Sequence, residues 1–384
     1  MKGEDARLER AHTPIRLAIC GGGTGGHIFP GVAILTALRE LTPVECLWIG
    51  TGREVEMDIL KGVEATYREL RVGPLYGVGA GRAVRAVWRL PVAVFQAKKI
   101  LKEFGPDIVL GIGGYVAGPV MAAARWLKIP VVIHEQNLIP GLTNRWGARL
   151  ANRIFVSFKG SISWLPRAKT MLVGNPVREE FLRLAHHEAV GARQAVPLHR
   201  PYHLLVIGGS QGARAINRLV SSALTILSGS GHDIRVVHQT GAKDRDYIRR
   251  IYDDADIPAE VHVFIEDMAG RYAWADLVIA RAGAGTCAEL AVSGTPSILI
   301  PYPHAASGHQ EANAKELESA GASITLRESE VGPERLASTI AALMTNGERL
   351  ARMGECARSV ARPHAAREIA EEMLKITGKV ADNV

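Results

Sequence analysis

Clustered cysteines, long apolar runs and, over two stretches, any acidic residue are missing from this 384-residue chain. Its four cysteines, Cys20, Cys46, Cys287 and Cys356, are scattered without CxxC or Cys/His ligand spacing, which argues against a zinc site or a disulfide framework and fits a reducing compartment. The charged opening Met1-Lys2-Gly3-Glu4-Asp5-Ala6-Arg7 lacks the apolar segment of a signal peptide, and no uninterrupted apolar run is long enough to span a bilayer. The expectation is a protein neither exported nor membrane-spanning. Low-complexity tracts and short repeats are absent too.

Acidic residues are missing from Leu70 to Lys102, where Arg71, Arg82, Arg85, Arg89, Lys98, Lys99 and Lys102 lie, and again from Gln136 to Arg178, with Arg145, Arg149, Arg153, Lys159, Arg167, Lys169 and Arg178. The formal charge of +7 therefore belongs to the first half. Its basic residues are not interleaved with stacking aromatics, which disfavours RNA recognition; no nucleic-acid partner is expected.

What is abundant is glycine at strand ends. Ile15-Arg16-Leu17-Ala18-Ile19-Cys20 runs into Gly21-Gly22-Gly23-Thr24-Gly25-Gly26-His27, and Leu204-Leu205-Val206-Ile207 into Gly208-Gly209-Ser210-Gln211-Gly212. A strand, glycines and a helix leave backbone N–H groups unpaired at the helix start, where they and the helix dipole favour anions. Further strand-like runs, Val44–Ile49, Ile108–Gly111, Val131–His134, Ile154–Val156, Ile234–Gln239, Leu277–Ala280 and Ser297–Pro301, alternate with helical patterns. Being apolar on both faces, they predict parallel sheets covered by helices: α/β, doubly wound, twice over. A turn-rich break places the domain boundary near Leu172–Arg178, and a final helix is expected from about Ala361 to Thr377.

The first loop satisfies GxGxxG through Gly21, Gly23 and Gly26, but the second strand ends in Gly50-Thr51-Gly52 where a dinucleotide site needs an acid, and Glu54 comes too late. It also has GxxxxG spacing, with His27-Ile28 where a P-loop has Lys-Ser/Thr. Five glycines in six residues exceed what a turn alone requires. At a helix N-terminus His27 serves either as a cap or as a neutral general base. Gly111-Ile112-Gly113-Gly114-Tyr115 and His134-Glu135-Gln136-Asn137 also follow strands, and Arg281-Ala282-Gly283-Ala284-Gly285-Thr286 precedes a helix carrying Glu289. On position alone Glu289 either grips a ribose or favours the helix dipole.

The ordered set Gly22-Gly23-Thr24-Gly25-Gly26-His27, Gly113-Gly114-Tyr115-Val116-Ala117-Gly118-Pro119, His134-Glu135-Gln136-Asn137, Gly174-Asn175-Pro176-Val177-Arg178, Gly208-Gly209-Ser210-Gln211-Gly212-Ala213 and His309-Gln310-Glu311-Ala312-Asn313-Ala314 resembles the MurG glycosyltransferases over nearly the whole chain. The resemblance implies a GT-B fold, two Rossmann-like domains facing a cleft. It implies residues 1–14 as a disordered extension, 15–173 as an acceptor and membrane-associating domain, 174–360 as a UDP-GlcNAc-binding domain, and 361–384 as a helix returning toward the N-domain. Thr24, Gly25 and Gly26 would approach the donor's sugar and phosphates, Asn137 the sugar, Arg178 and Ser210 the diphosphate. The Ile265 backbone would read uracil, Ala284, Gly285, Thr286, Cys287 and Ala288 would line the phosphate helix, Glu289 would hold the ribose and Gln310 the sugar hydroxyls. Gly285, Ala288 and Ala312 depart from the residues relatives often carry there.

The implied reaction moves GlcNAc from UDP-GlcNAc, with inversion, to the C4 hydroxyl of MurNAc in undecaprenyl-pyrophosphoryl-MurNAc-pentapeptide (lipid I), giving lipid II for peptidoglycan. His27 is the first candidate base, Glu135 and Tyr115 the outside ones. A helix N-terminus with Arg178 can stabilise the leaving UDP, so no metal and no cofactor is expected. Asp254-Ala255-Asp256 and Asp244-Arg245-Asp246 spell DxD and read as solvated surface charge. Arg82, Arg85 and Arg89, beside Val84, Trp88, Val92 and Phe95, would seat the chain on an anionic membrane surface, peripherally at the cytoplasmic face of the bacterial inner membrane, near other cell-wall synthesis proteins. The same pattern fits an amphipathic helix packed inward. A GT-B enzyme with a soluble acceptor is the rival reading.

Overall fold

The computed structural model describes residues 14–23, 25–72, 80–188, 201–209 and 212–379, with backbone alone at 80–89 and 185–188. The chain divides into two compact units, Met1–Arg178 with Pro363–Val384, and Glu179–Arg362.

The first unit is built on seven parallel strands: β1 (Ile15–Gly21), β2 (Val44–Gly50), β3 (Thr66–Glu69), β4 (Ile108–Gly113), β5 (Val131–Glu135), β6 (Arg153–Val156) and β7 (Thr170–Leu172). Their order is β3-β2-β1-β4-β5-β6-β7. Central strands are buried on both faces because helices cover both: α1 (Gly25–Leu41) on one side, and α3 (Ala80–Phe104) with α4 (Ala117–Trp126) on the other. Short helices α2 (Glu54–Leu60) and α5 (Leu142–Gly147) sit in the loops. The C-terminal helix, Ala365–Thr377, belongs to this unit: Ile369, Ala370, Met373 and Leu374 join the core of β1 and α1. Ion pairs from Glu372 to Arg153 (2.6 Å) and from Lys379 to Asp107 (2.8 Å) tie down its flanks. Its start falls past Pro363, four residues after the sequence expectation, since a chain entering proline disfavours helical backbone.

The second unit has six parallel strands, β8 (Tyr202–Ile207), β9 (Ile234–Gln239), β10 (Ala259–His262), β11 (Leu277–Ala280), β12 (Ser297–Leu299) and β13 (Ser323–Thr325), in the order β10-β9-β8-β11-β12-β13. Leu204, Val206, Ile279 and Ile298 pack beneath helices at Arg214–Gly229 and Pro333–Met344.

In each sheet the order reverses once, between β1 and β4 and between β8 and β11. Crossovers leave in opposite directions there, so a crevice opens beyond the carboxyl ends of those strands. Both glycine turns lie at these two places.

Candidate functional site

At the first switch point two glycine turns meet backbone to backbone. A Cβ on Gly21 would stand 2.5 Å from the Gly113 carbonyl, and one on Gly114 2.8 Å from the Gly22 carbonyl, so no side chain fits at either position. The turn leads into α1, whose first residue is the buried Gly25, followed by the exposed Gly26 and then His27. Thr24 lies outside the described residues.

A carboxylate that sequence reasoning missed holds this loop. Glu56, fully buried in α2, accepts from Gly23 N–H (2.6 Å), Thr51 N–H (2.8 Å), the Thr51 hydroxyl (2.5 Å) and the Tyr67 hydroxyl (2.9 Å). Glu56 stands two residues beyond Glu54, and its oxygens are taken by the glycine loop and its neighbours, so it shapes the loop.

His27 lies against the end of β4, its Nδ1 3.1 Å from Gln136 Oε1. Gln136 Nε2 donates to the Ile112 carbonyl (2.9 Å) and faces His134 Nδ1 (3.2 Å), while His134 Nε2 faces the Gly174 carbonyl (3.2 Å). Burial lowers the pKa of both imidazoles, that of His134 to about 4; for His27 the bonds to Gln136 and to the Ile112 carbonyl draw it partly back up.

Glu135 is also buried, and burial raises its pKa against the pull of its donors. Oε1 takes Asn137 N–H (2.9 Å) and the Asn137 amide (3.5 Å), and Oε2 takes Gly141 N–H (3.0 Å) and Asn144 Nδ2 (2.9 Å). Both oxygens are occupied in shaping the 137–144 turn, an arrangement of a positioning group more than of a base. Tyr115, half-buried, packs on the core formed by Val116, Val120 and Met121. Arg178 lays its guanidinium over the Phe29 ring of α1, 5.2 Å from the centroid.

In the second unit, the loop after β8 needs Gly212: at φ +73°, a Cβ there would stand 2.0 Å from the Thr240 carbonyl. Ser210 is outside the described residues. Gln239, ending β9, accepts from Ile265 N–H (2.9 Å) and donates to the Gly209 carbonyl (3.0 Å), one buried side chain linking both segments. The helix Ala284–Ser293 starts after Gly283 with no side-chain cap hydrogen bond and no acid in its first turn. A Cβ on Gly285 would meet nothing within 4 Å, so packing does not require glycine there. Cys287 is buried, its thiol pushed up to about 12, and it packs rather than reacts. Thr286 and Ala288 stay partly exposed in the same turn, and Glu289 receives the Tyr272 hydroxyl at 3.5 Å. Gln310 opens its helix with Oε1 accepting Tyr302 N–H at 2.9 Å. Two anchors went unread in the sequence: Arg281, donating to the carbonyls of Ile300 and Pro301, and Asn313, donating to that of Ala282.

Of the DxD aspartates, Asp246, Asp254 and Asp256 are exposed as expected, and Asp244 needs a correction. Asp244 is buried and accepts from Asn217 Nδ2 (3.0 Å) and Arg214 Nε (3.3 Å), so it is a structural acceptor and not solvated charge. Asp256 lies in the turn after its helix, at φ +53°. No cluster of three metal-ligating side chains occurs among the described residues.

Comparison with known proteins follows the two units. Residues 17–156 match the glycosyltransferase family 28 N-terminal domain and residues 203–373 its C-terminal domain. A UDP-N-acetylglucosamine--N-acetylmuramyl-(pentapeptide) pyrophosphoryl-undecaprenol N-acetylglucosamine transferase of Geobacter metallireducens is 41% identical over 94% of this chain and 98% of its own length. The like-named protein of Halorhodospira halophila is 43% identical over 92% and 96%. The crystal structure of Acinetobacter baumannii MurG superposes with a TM-score of 0.76 at 32% identity, covering 94% of this chain and all of that one.

Proposed function

This chain belongs to the MurG family of glycosyltransferases, and from that premise we propose that it catalyses transfer of N-acetylglucosamine from UDP-GlcNAc to the MurNAc of undecaprenyl-pyrophosphoryl-MurNAc-pentapeptide, lipid I to lipid II. The observation that carries the mechanism is His27: an imidazole held by Gln136 beside glycine turns, at the switch point of the first sheet.

In this reading His27 takes the proton of the attacking C4 hydroxyl as the anomeric C–O bond to UDP breaks and the new β-bond forms. A base whose burial keeps it neutral at pH 7 is ready to accept that proton. Glu135 holds Asn137 and its turn for the sugar. The uncapped helix at Ala284 offers amides to the diphosphate, Glu289 binds the ribose diol, the Ile265 backbone reads uracil, and Arg178 meets charge growing on the leaving group. Gln310, its oxygen engaged at Tyr302, has its amide nitrogen for a sugar hydroxyl.

The acceptor is a lipid, and we assign the chain to the cytoplasmic face of the inner membrane as a peripheral protein. No helix among the described residues is long and apolar enough to cross a membrane. Val92, Phe95 and Trp126 are exposed, and Phe95 is bordered by Lys98, Lys99 and Lys102 with one acid, Glu103, a net basic apolar surface that suits anionic headgroups.

The test is His27→Ala with UDP-GlcNAc and a short-chain lipid I analogue. Turnover should fall about 10²-fold or more while UDP affinity stays within about twofold. Near wild-type turnover removes His27 as the base; transfer to soluble sugars but not to lipid-linked MurNAc removes the acceptor assignment.

A further inference from the structure

Strand alternation in β5 puts His134 and Glu135 on opposite faces, and Gln136, the first residue after the strand, sets its amide beside His134. Gln136 sits between two imidazoles and a backbone carbonyl, almost wholly buried, so each of its amide atoms must match its neighbour. The Ile112 carbonyl, 2.9 Å from Nε2, can only accept. The Gly174 carbonyl, 3.2 Å from His134 Nε2, can only accept as well, so His134 carries its proton on Nε2 and turns a lone pair on Nδ1 toward Gln136. Both demands set the Gln136 NH2 on that side and leave Oε1 facing His27 Nδ1 at 3.1 Å. An amide oxygen only accepts. His27 therefore bears its proton on Nδ1.

We propose that Gln136 is a positioning residue for the transfer reaction: it fixes the His27 tautomer, so that Nε2 is the atom that takes the acceptor proton. The proposal rests on the reading of His27 as the base. Gln136 does for His27 what a carboxylate does for the histidine of a hydrolase triad, but without charge, so it orients the ring while adding less to its proton affinity than an anion would. The Gly174 turn thereby reaches His27 through His134 and Gln136, which ties a motif far along the sequence to the base.

Groups that bear on the titration come from every neighbouring element. His134 and Glu135 lie on β5, the latter turned into the 137–144 turn; Glu56 of α2 and Arg53 bind Gly23 ahead of His27, and Arg178 lies over Phe29 behind it. The Ile112 carbonyl is a second acceptor for the His27 ring, and Gln136, which binds both that carbonyl and Nδ1, is the side chain that joins the two.

Two measurements on the full chain decide it. In wild-type protein labelled with 15N-histidine, the His27 signals, assigned by their loss in His27→Ala, should show a protonated Nδ1 and a bare Nε2 at neutral pH; the reverse pattern overturns the proposal. In Gln136→Met, which keeps the length but neither bond, kcat should fall about tenfold or more with the KM for UDP-GlcNAc within about twofold. Losing an acceptor that favours the charged ring lowers its pKa, so the acid limb of the kcat/KM profile should move to lower pH. An unmoved limb and unchanged kcat, with His27→Ala inactive, overturn the role of Gln136 and leave the base assignment standing. Active His27→Ala overturns the base assignment instead. Should Gln136→Met fail to bind UDP, the His27 tautomer of that variant decides: an unchanged Nδ1–H pattern overturns the role of Gln136, and a shifted or mixed pattern upholds it.

Discussion

At the scale of single residues, Glu56 shows a carboxylate used for shape. Gly22 and Gly50 make room for it: a Cβ on Gly22 would stand 2.2 Å from Oε1, and one on Gly50 2.6 Å from Oε2. Removing the carboxylate leaves two amides and two hydroxyls without their acceptor, the Gly23 amide buried and the other three donors part-buried, and a buried unsatisfied donor costs about 1–3 kcal/mol. Glu56→Ala is therefore expected to destabilise the first unit by about 3 kcal/mol or more. Tyr67→Phe, which removes one donor and leaves the other three in place, should cost about 1.5 kcal/mol. Urea unfolding followed by tryptophan fluorescence ranks them; a Glu56→Ala midpoint equal to wild type would show that the loop does not depend on this contact. Nothing in the sequence marks Glu56, because it sits in an ordinary polar helical pattern and its partners lie 5, 11 and 33 residues away. Gln136 was hidden differently: it stood inside a quoted motif, but only the third dimension supplies the Ile112 and His27 atoms that give it a task.

Elements were legible in proportion to their burial. Strands β1, β2, β4, β5, β6, β8, β9, β11 and β12 carry apolar runs because helices cover both of their faces, and each coincides with a run read from the sequence. The four that went unread, β3, β7, β10 and β13, are the outer strands of the two sheets; they are short, and TYRE or AEVH presents no continuous apolar signal. Between elements, Gln239 joins the end of β8 to the segment carrying Ile265, and this supports a specific expectation about the donor site. Gln239→Glu keeps the acceptor for Ile265 N–H but loses the donor to the Gly209 carbonyl, so calorimetric titration should find UDP affinity reduced about tenfold and uridine affinity almost unchanged. Gln239→Leu loses both bonds and should weaken both ligands. Equal losses for UDP and uridine in Gln239→Glu would separate this side chain from the phosphate loop.

On the scale of the whole molecule, the distribution of charge bears on where the enzyme works. The basic excess lies in the first half of the chain, where Phe95, Trp126, Trp146 and Trp164 are exposed. Phe95 and Trp126 are 58% and 54% exposed and meet edge to face at 5.5 Å, with Lys98 Nζ 3.6 Å from the Trp126 ring centre. A second pair of rings repeats the motif, Trp146 under Arg149 and Trp164 under Arg145. An inward-packed amphipathic helix would bury such rings; Val92 and Phe95 instead face solvent on α3, while Ala93, Ala97 and Leu101 hold the core. Arg82, Arg85 and Arg89 have side chains outside the described residues, and their contribution is electrostatic by expectation. Two kinds of variant separate the forces. Replacing those three arginines by serine should remove about 1 kcal/mol each of attraction to phosphatidylglycerol vesicles at low salt, a loss that shrinks as salt screens the surface. Replacing Phe95 and Trp126 by serine removes apolar insertion, which screening does not touch, so binding should fall at low and high salt alike. UDP affinity, which depends on the second unit, should survive in both. Vesicle sedimentation at two salt concentrations reads the difference. If neither variant loses binding, the chain must find its lipid acceptor through another surface or a protein partner, since a basic apolar face that carries no membrane affinity has no role in bringing the enzyme to a bilayer.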